Sequence, residues 1–200
     1  MTAALPAFEP TTSVDEVGEL LAHALADDVD LAFEQVVRTY QDRIVSVAAR
    51  SLGDRQRAEE VAQDVFVRAY RALVTYDRPR IRKLRLRSWL YAITLNLIRN
   101  AVRGKRLRTV GLERDDGSPR PIADPKPTPE AQAEARVEWQ LVGGAIAKLS
   151  PKLRDAFVLR YVEELSDDEI AEALSQPVGT VKANAHRGLM NVRAFLEEQS

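Results

Sequence analysis

The chain has 200 residues, 45% of them apolar and 30% charged, with a net charge of −1, which suits one ordinary domain or two small ones and excludes wholesale disorder. It contains no cysteine, which excludes disulfides and thiolate metal sites, and His23 and His186 are too far apart in sequence to suggest a metal or cofactor. No stretch approaches the roughly 18–20 apolar residues of a membrane span, and Glu9, Asp15 and Glu16 stand where a secretory signal would be basic, so a cytoplasmic protein without membrane insertion is expected.

Ala, Leu, Arg and Glu dominate, and that mixture predicts an all-α fold. Residues 1–29 read as an N-terminal extension with one short helix, Ser13 capping it and Val14, Val17, Leu20, Leu21, Ala24 and Leu25 recurring at helical spacing. A first helical domain is expected over residues 30–108. Phe33, Val36, Val37, Tyr40, Ile44, Val47 and Ala48 form its first apolar stripe, which Gly53 stops. Asp54 caps the next helix, whose inward face carries Ala58, Val61, Ala62, Val65, Phe66, Ala69, Tyr70 and Leu73. A basic loop runs from Thr75 to Arg87. Ser88 is read as the cap of a third helix, with Trp89, Leu90, Ile93, Leu97 and Ala101 inward and Gly104 at its end.

Residues 109–129 hold five of the ten prolines and several acids, and read as an acidic, semi-extended, flexible linker. A second helical domain is expected over residues 130–200. Val137, Leu141, Val142 and Ile146 mark its first helix, and Ser150-Pro151 starts another that presents Leu153, Phe157, Val158 and Tyr161. Ser166 and Glu169 have the spacing of a capping box for a short helix with Ile170, Ala171 and Leu174 inward. After Pro177 a last helix turns Val181, Ala185, Leu189 and Val192 inward.

The last two helices form a candidate helix–turn–helix. Ala171, Ser175 and Val181 supply the small contact residue, the permissive turn and the branched apolar residue at suitable intervals. Thr180, Lys182, Asn184, His186 and Arg187 are then expected along the outer surface of the recognition helix, where Asn and Arg suit base edges and Lys suits phosphate. A second signal is electrostatic. From Arg78 to Arg108 there are eleven Lys/Arg and no Asp or Glu, inside a chain that is otherwise acidic, which points to a polyanion partner. Asn96 and Asn100, four apart, share one helical face beside this basic stretch. Glu59, Glu60, Gln63, Asp64 and Arg68 cluster on the outer side of the second helix and, taken alone, read as a solvated face.

The run Ala58–Leu73 (AEEVAQDVFVRAYRAL), continued by Trp89–Asn96 (WLYAITLN), resembles region two of the extracytoplasmic-function (ECF) sigma factors of the sigma-70 family. The run Leu149–Leu174, with Pro177–Lys182 (PVGTVK), resembles their region four. The resemblance covers about residues 30–108 and 130–198. It implies promoter-directed transcription initiation, with bacterial core RNA polymerase and promoter DNA as partners, an anti-sigma factor as a third, and no chemistry of its own. Glu60, Gln63 and Asp64, with Glu59 and Arg68 beside them, would meet the clamp helices of the polymerase. Asn96 and Asn100, with Arg80, Arg82, Lys83, Arg85, Arg87 and Arg103, would bind the melted minus-ten strand. Lys182 and Arg187, with Thr180, Asn184 and His186, would contact the minus-thirty-five duplex, and the acidic linker would thread toward the polymerase channels. Two stretches depart from the family pattern: Arg80–Arg87 replaces a Phe-Arg-Gly-Asp-Ser-like loop, and Ala183-Asn184 replaces a Ser-Arg pair.

Two rival readings stay open at this point. A stand-alone helix–turn–helix regulator accounts for the C-terminal half but gives the Glu60/Gln63/Asp64 face no purpose. A helical enzyme acting on an anionic substrate lacks any acid–base or nucleophile constellation.

Overall fold

The computed structural model describes residues 14–108 and 142–198. All regular structure among them is helical: α1 (Val14–Asp27), α2 (Val29–Leu52), α3 (Arg55–Leu73), α4 (Arg78–Arg82), α5 (Leu86–Arg108), α6 (142–148), α7 (Pro151–Phe157), α8 (Asp167–Leu174) and α9 (Val178–Glu197). The predicted linker and the residues after it that include Val137 and Leu141 lie outside the described residues, as does Ser13.

The N-terminal domain follows its caps. Asp28 accepts from Leu31 N and starts α2, and Gly53, at φ 67°, ends it in the left-handed region. One residue later Asp54 accepts from Arg57 N, so α3 turns back along α2. Val36, Tyr40, Ile44 and Val47 of α2 interlock with Ala58, Val65, Ala69 and Leu73 of α3, all buried. The supposed loop contains one helical turn, α4, capped by Asp77 with Pro79 in its first turn, and Ile81 anchors it in the core. The helix α5 starts at Leu86, two residues before the expected cap, so Ser88 lies buried inside it. It also runs on past Gly104 to Arg108.

The stretch read as an extension belongs to this domain. Helix α1 packs on α2, α4 and α5, burying Leu21, Ala22, Leu25 and Ala26. Leu20, expected inward, is 52% exposed because the apolar stripe is narrower than its spacing suggested. Tyr70 also departs from expectation: it is 37% exposed, and its hydroxyl donates to Asp30 Oδ1 at 2.6 Å. A polar handle draws an otherwise apolar ring to the rim. That bond to a carboxylate raises the phenol's pKa.

In the C-terminal domain Pro151 opens α7, which gives way to a π-helical turn over Val158–Val162. The wider turn shifts the helical phase, so Tyr161, expected inward, lies 43% exposed against Phe157. Glu164 then takes a left-handed φ of 55°. The capping box forms as expected: Glu169 N donates to Ser166 Oγ, and Ser166 N donates to Glu169 Oε2 at 2.8 Å. Ser175, at φ 51°, makes the turn between α8 and α9. Gly188 lets α9 lie close on α7, since a Cβ there would stand 3.0 Å from Phe157 Cβ and 3.1 Å from Leu153 O.

Candidate nucleic-acid interface

The candidate recognition helix α9 leaves the turn with Val181 and Ala185 buried, which turns Thr180, Lys182, His186 and Arg187 to solvent. Among the described residues no side chain caps the start of α9, where the Thr180 and Val181 amides donate to the Pro177 carbonyl. Lys182 Nζ, itself exposed, lies 3.7 Å from Oδ2 of the partly exposed Asp167, a long pair that competes weakly with another anion. Asn184 corrects the sequence reading. It is only 8% exposed, because it falls on the same helical side as Val181 and Ala185, and so it does not stand on the outer surface where it was expected.

The basic segment folds into α4 and the first turns of α5. Arg80 stacks over the Tyr76 ring at 3.6 Å, Tyr76 in turn lies beside Trp89, and Arg82 pairs with Asp27 of α1 at 2.9 Å. Lys83, Asn96, Asn100 and Arg103 are exposed. Asn96 and Asn100 share a face of α5, as the spacing predicts, and Arg99 Nη1 donates to Asn96 Oδ1 at 3.2 Å. This half-built aromatic and cationic track suits single-stranded nucleic acid, which needs stacking surfaces as well as charge.

Arg87 departs from that track. It is 6% exposed, donates to the main-chain carbonyl of Glu163 and lies 3.7 Å from Glu169. Arg85 pairs with Glu172 at 3.3 Å, and Arg99 with Asp155 at 3.1 Å. All four acceptors belong to the C-terminal domain, so part of the basic face is covered by its own chain. Glu163 sits deepest: Tyr91 donates to its carboxylate, and Arg43 lies 3.6 Å away. Burial raises the pKa of Glu163, of Asp155 and of the Tyr91 phenol. Sequence gave no sign of this cluster, because its members lie 72 and 76 residues apart along the chain.

On α3, Glu59, Glu60, Gln63, Asp64 and Arg68 are all exposed, as the helical period predicts, and Glu59 pairs with Arg55 at 3.0 Å. Sequence reasoning missed that Val67 and Val74, 46% and 53% exposed, continue this outward face.

The chain matches the models of Sigma-70 region 2 over residues 36–108 and of Sigma-70, region 4 over residues 139–192. It is 34% identical over 173 residues to the ECF RNA polymerase sigma factor SigW of Bacillus subtilis, covering 84% of this chain and 90% of that one. The chain belongs to the ECF sigma factors. A second relative, the ECF RNA polymerase sigma factor SigE of Mycolicibacterium smegmatis, is 31% identical across 98% of the sigma factor described here and 71% of its own length. Among solved structures, CnrH in complex with the cytosolic domain of CnrY aligns with a TM-score of 0.65 at 27% identity, over 92% of this chain and 99% of that one. The all-α, two-domain architecture is therefore the family's, and the two matched regions assign the sigma factor to promoter-specific transcription initiation. No described helix is long and apolar enough to cross a membrane.

Proposed function

We propose that this sigma factor binds core RNA polymerase through the outward face of α3, reads and helps to melt the minus-ten element with α4 and α5, and docks α9 on the minus-thirty-five duplex. The observation that carries the reading is the placement of three separate faces, each with its own chemistry. Glu60, Gln63 and Asp64 are exposed, beside apolar Val67 and Val74 that would gain from being covered. Asn96 and Asn100 are exposed on α5, the helix that also carries Trp89, with Tyr76 and Arg80 beside that ring in turn. Melting captures bases as they leave the stack, which needs ring faces and amide edges together. Thr180, Lys182, His186 and Arg187 line the exposed side of a recognition helix.

In this reading the residue domains run 30–108 and 130–200, with α1 added to the first. The solved relative CnrH is held by the cytosolic domain of CnrY, which supports an anti-sigma partner here as well. A polymerase subunit of this kind works in the cytoplasm and catalyses no bond change itself.

The test is binding of labelled protein to bacterial core polymerase, with Gln63→Ala/Asp64→Ala beside it. Nanomolar binding weakened about tenfold by the double substitution, about 1.4 kcal/mol, is the expected result. No binding at low salt by folded, partner-free protein would overturn the reading and favour a stand-alone DNA-binding regulator.

A further inference from the structure

We propose that Asp27, the last residue of α1, is a positioning residue for the minus-ten strand: by pairing with Arg82 it sets the pose of α4, so that Arg80 and Lys83 meet the strand and Arg82 does not. The inference rests on the minus-ten reading above and adds to it a residue that lies outside both matched family regions.

A single helical turn has no stability of its own, so α4, five residues long, takes its pose from its neighbours. Asp77 caps it, and Ile81, 2% exposed, fixes its depth. One buried side chain leaves the rotation of a turn open, and α1 supplies the missing restraint. The two helices pack together, and Asp27 receives both outer arginines of α4. Arg82 Nη2 donates to Asp27 Oδ1 at 2.9 Å, and Arg78 Nη2 donates to the Asp27 main-chain oxygen at 3.4 Å. Cations are favoured at this point, because the end of a helix carries partial negative charge. Asp28, its neighbour, accepts instead from Leu31 N and caps α2.

The cations of this turn then have different tasks. At about 100° per residue, Arg78 and Arg82 stand roughly 40° apart on the side toward α1, and Arg80 and Lys83 roughly 60° apart on the far side. Arg80 there stacks over the Tyr76 ring at 3.6 Å, and that ring lies beside Trp89 of α5. Lys83 is exposed. Released from Asp27, the turn can roll and carry Arg80 off Tyr76. The Arg82 and Asp27 side chains are 55% and 66% exposed, and such a pair adds little to stability. Its effect is on where two other cations stand.

The test uses holoenzyme assembled from the full chain and core polymerase. The probe is the non-template strand of a promoter that the wild-type holoenzyme selects from randomised DNA. Selection of no sequence would overturn the promoter reading and this inference with it. Asp27→Ala should weaken binding of the strand about threefold, the size of effect that an exposed pair carries. Loss of an acid alone would act the other way and tighten binding to a polyanion. Asp27→Asn makes the same charge change but keeps an oxygen for Arg82, and should bind as wild type does. Arg82→Ala should match Asp27→Ala, and the double variant should be no weaker than either, because the two act as one unit. Salt dependence separates positioning from contact, since each phosphate contact on a single strand adds roughly 0.7 to the slope of log affinity against log salt. That slope should hold in Arg82→Ala and fall by roughly 0.7 in Lys83→Ala. Affinity for core polymerase should be the same in every variant. Tighter binding by Asp27→Ala, additive losses in the double variant, or a slope that falls in Arg82→Ala would overturn the assignment. Equal losses of strand and polymerase binding would overturn it too, because they mark damage to the whole domain.

Discussion

Gly53 shows how a single backbone conformation sets the first domain. It holds φ at 67°, and an added Cβ would meet nothing within 4 Å. The cost of Gly53→Ala is therefore conformational, with no clash to add: about 1 kcal/mol for placing an L side chain in the left-handed region. The unfolding midpoint of this small domain should fall by about 4–8 °C in the variant, and an unchanged midpoint would show that α2 can end elsewhere. Glycine announces such a position, so this stop was legible in the sequence. Ser175, at φ 51°, was legible as a turn for a related reason, since a short polar side chain tolerates that region. Glu164 at φ 55° was not, because nothing about glutamate advertises left-handed backbone. The backbone turn that follows Glu163 at the domain contact was thus invisible until the chain was folded.

Among the helices, periodicity exposed most of the architecture. The stripes on α2, α3, α8 and α9 place Val36, Val65, Ile170 and Val181 in the core as expected. The misreadings fall where a helix changes phase or where a residue has two tendencies. The π turn moves Tyr161 out of register, and Asp30 draws the Tyr70 hydroxyl to the surface. Asn184 is polar, yet its position between Val181 and Ala185 buries it. The packing of α9 on α7 gives a test of the recognition surface. In Gly188→Ala the new methyl would press on Phe157 Cβ at 3.0 Å and on the Leu153 carbonyl at 3.1 Å, and backbone cannot move aside as a flexible side chain can. Overpacking of this kind costs about 1–3 kcal/mol. It should lower the melting temperature and weaken binding to minus-thirty-five duplex, while leaving polymerase binding through α3 unchanged. Equal loss of both would mean that the effect is global unfolding.

Across the whole molecule, the sequence displayed the basic segment and the acidic remainder but not that one would fold onto the other. The run from Arg78 to Arg108 predicts a polyanion partner, and the same charge also attracts Asp155, Glu163, Glu169 and Glu172 from a separate domain. Charge patterns carry no register, so only the fold pairs them. The closure has a pH dependence of definite sign. Glu163, facing Tyr91, Arg43, Arg50 and Arg87, has its pKa raised chiefly by burial, which outweighs those partners. Asp155, facing Arg99 and Arg154, is raised for the same reason. When the domains part, both carboxyls return to water and to the ordinary range of about 4. Between that range and the raised values the closed form holds more protons than the open one, so closure weakens as pH rises and strengthens as it falls. Energy transfer between dyes at Arg38→Cys and Glu197→Cys, one exposed position on each domain, should therefore increase as pH falls from neutral toward the ordinary carboxylate range. Glu163→Gln/Asp155→Asn, neutral at every pH, should stay closed and flatten the change in energy transfer. A response that persists in the double variant would place the titrating group elsewhere, and an opposite slope would mean that the arginines outweigh burial at the domain contact.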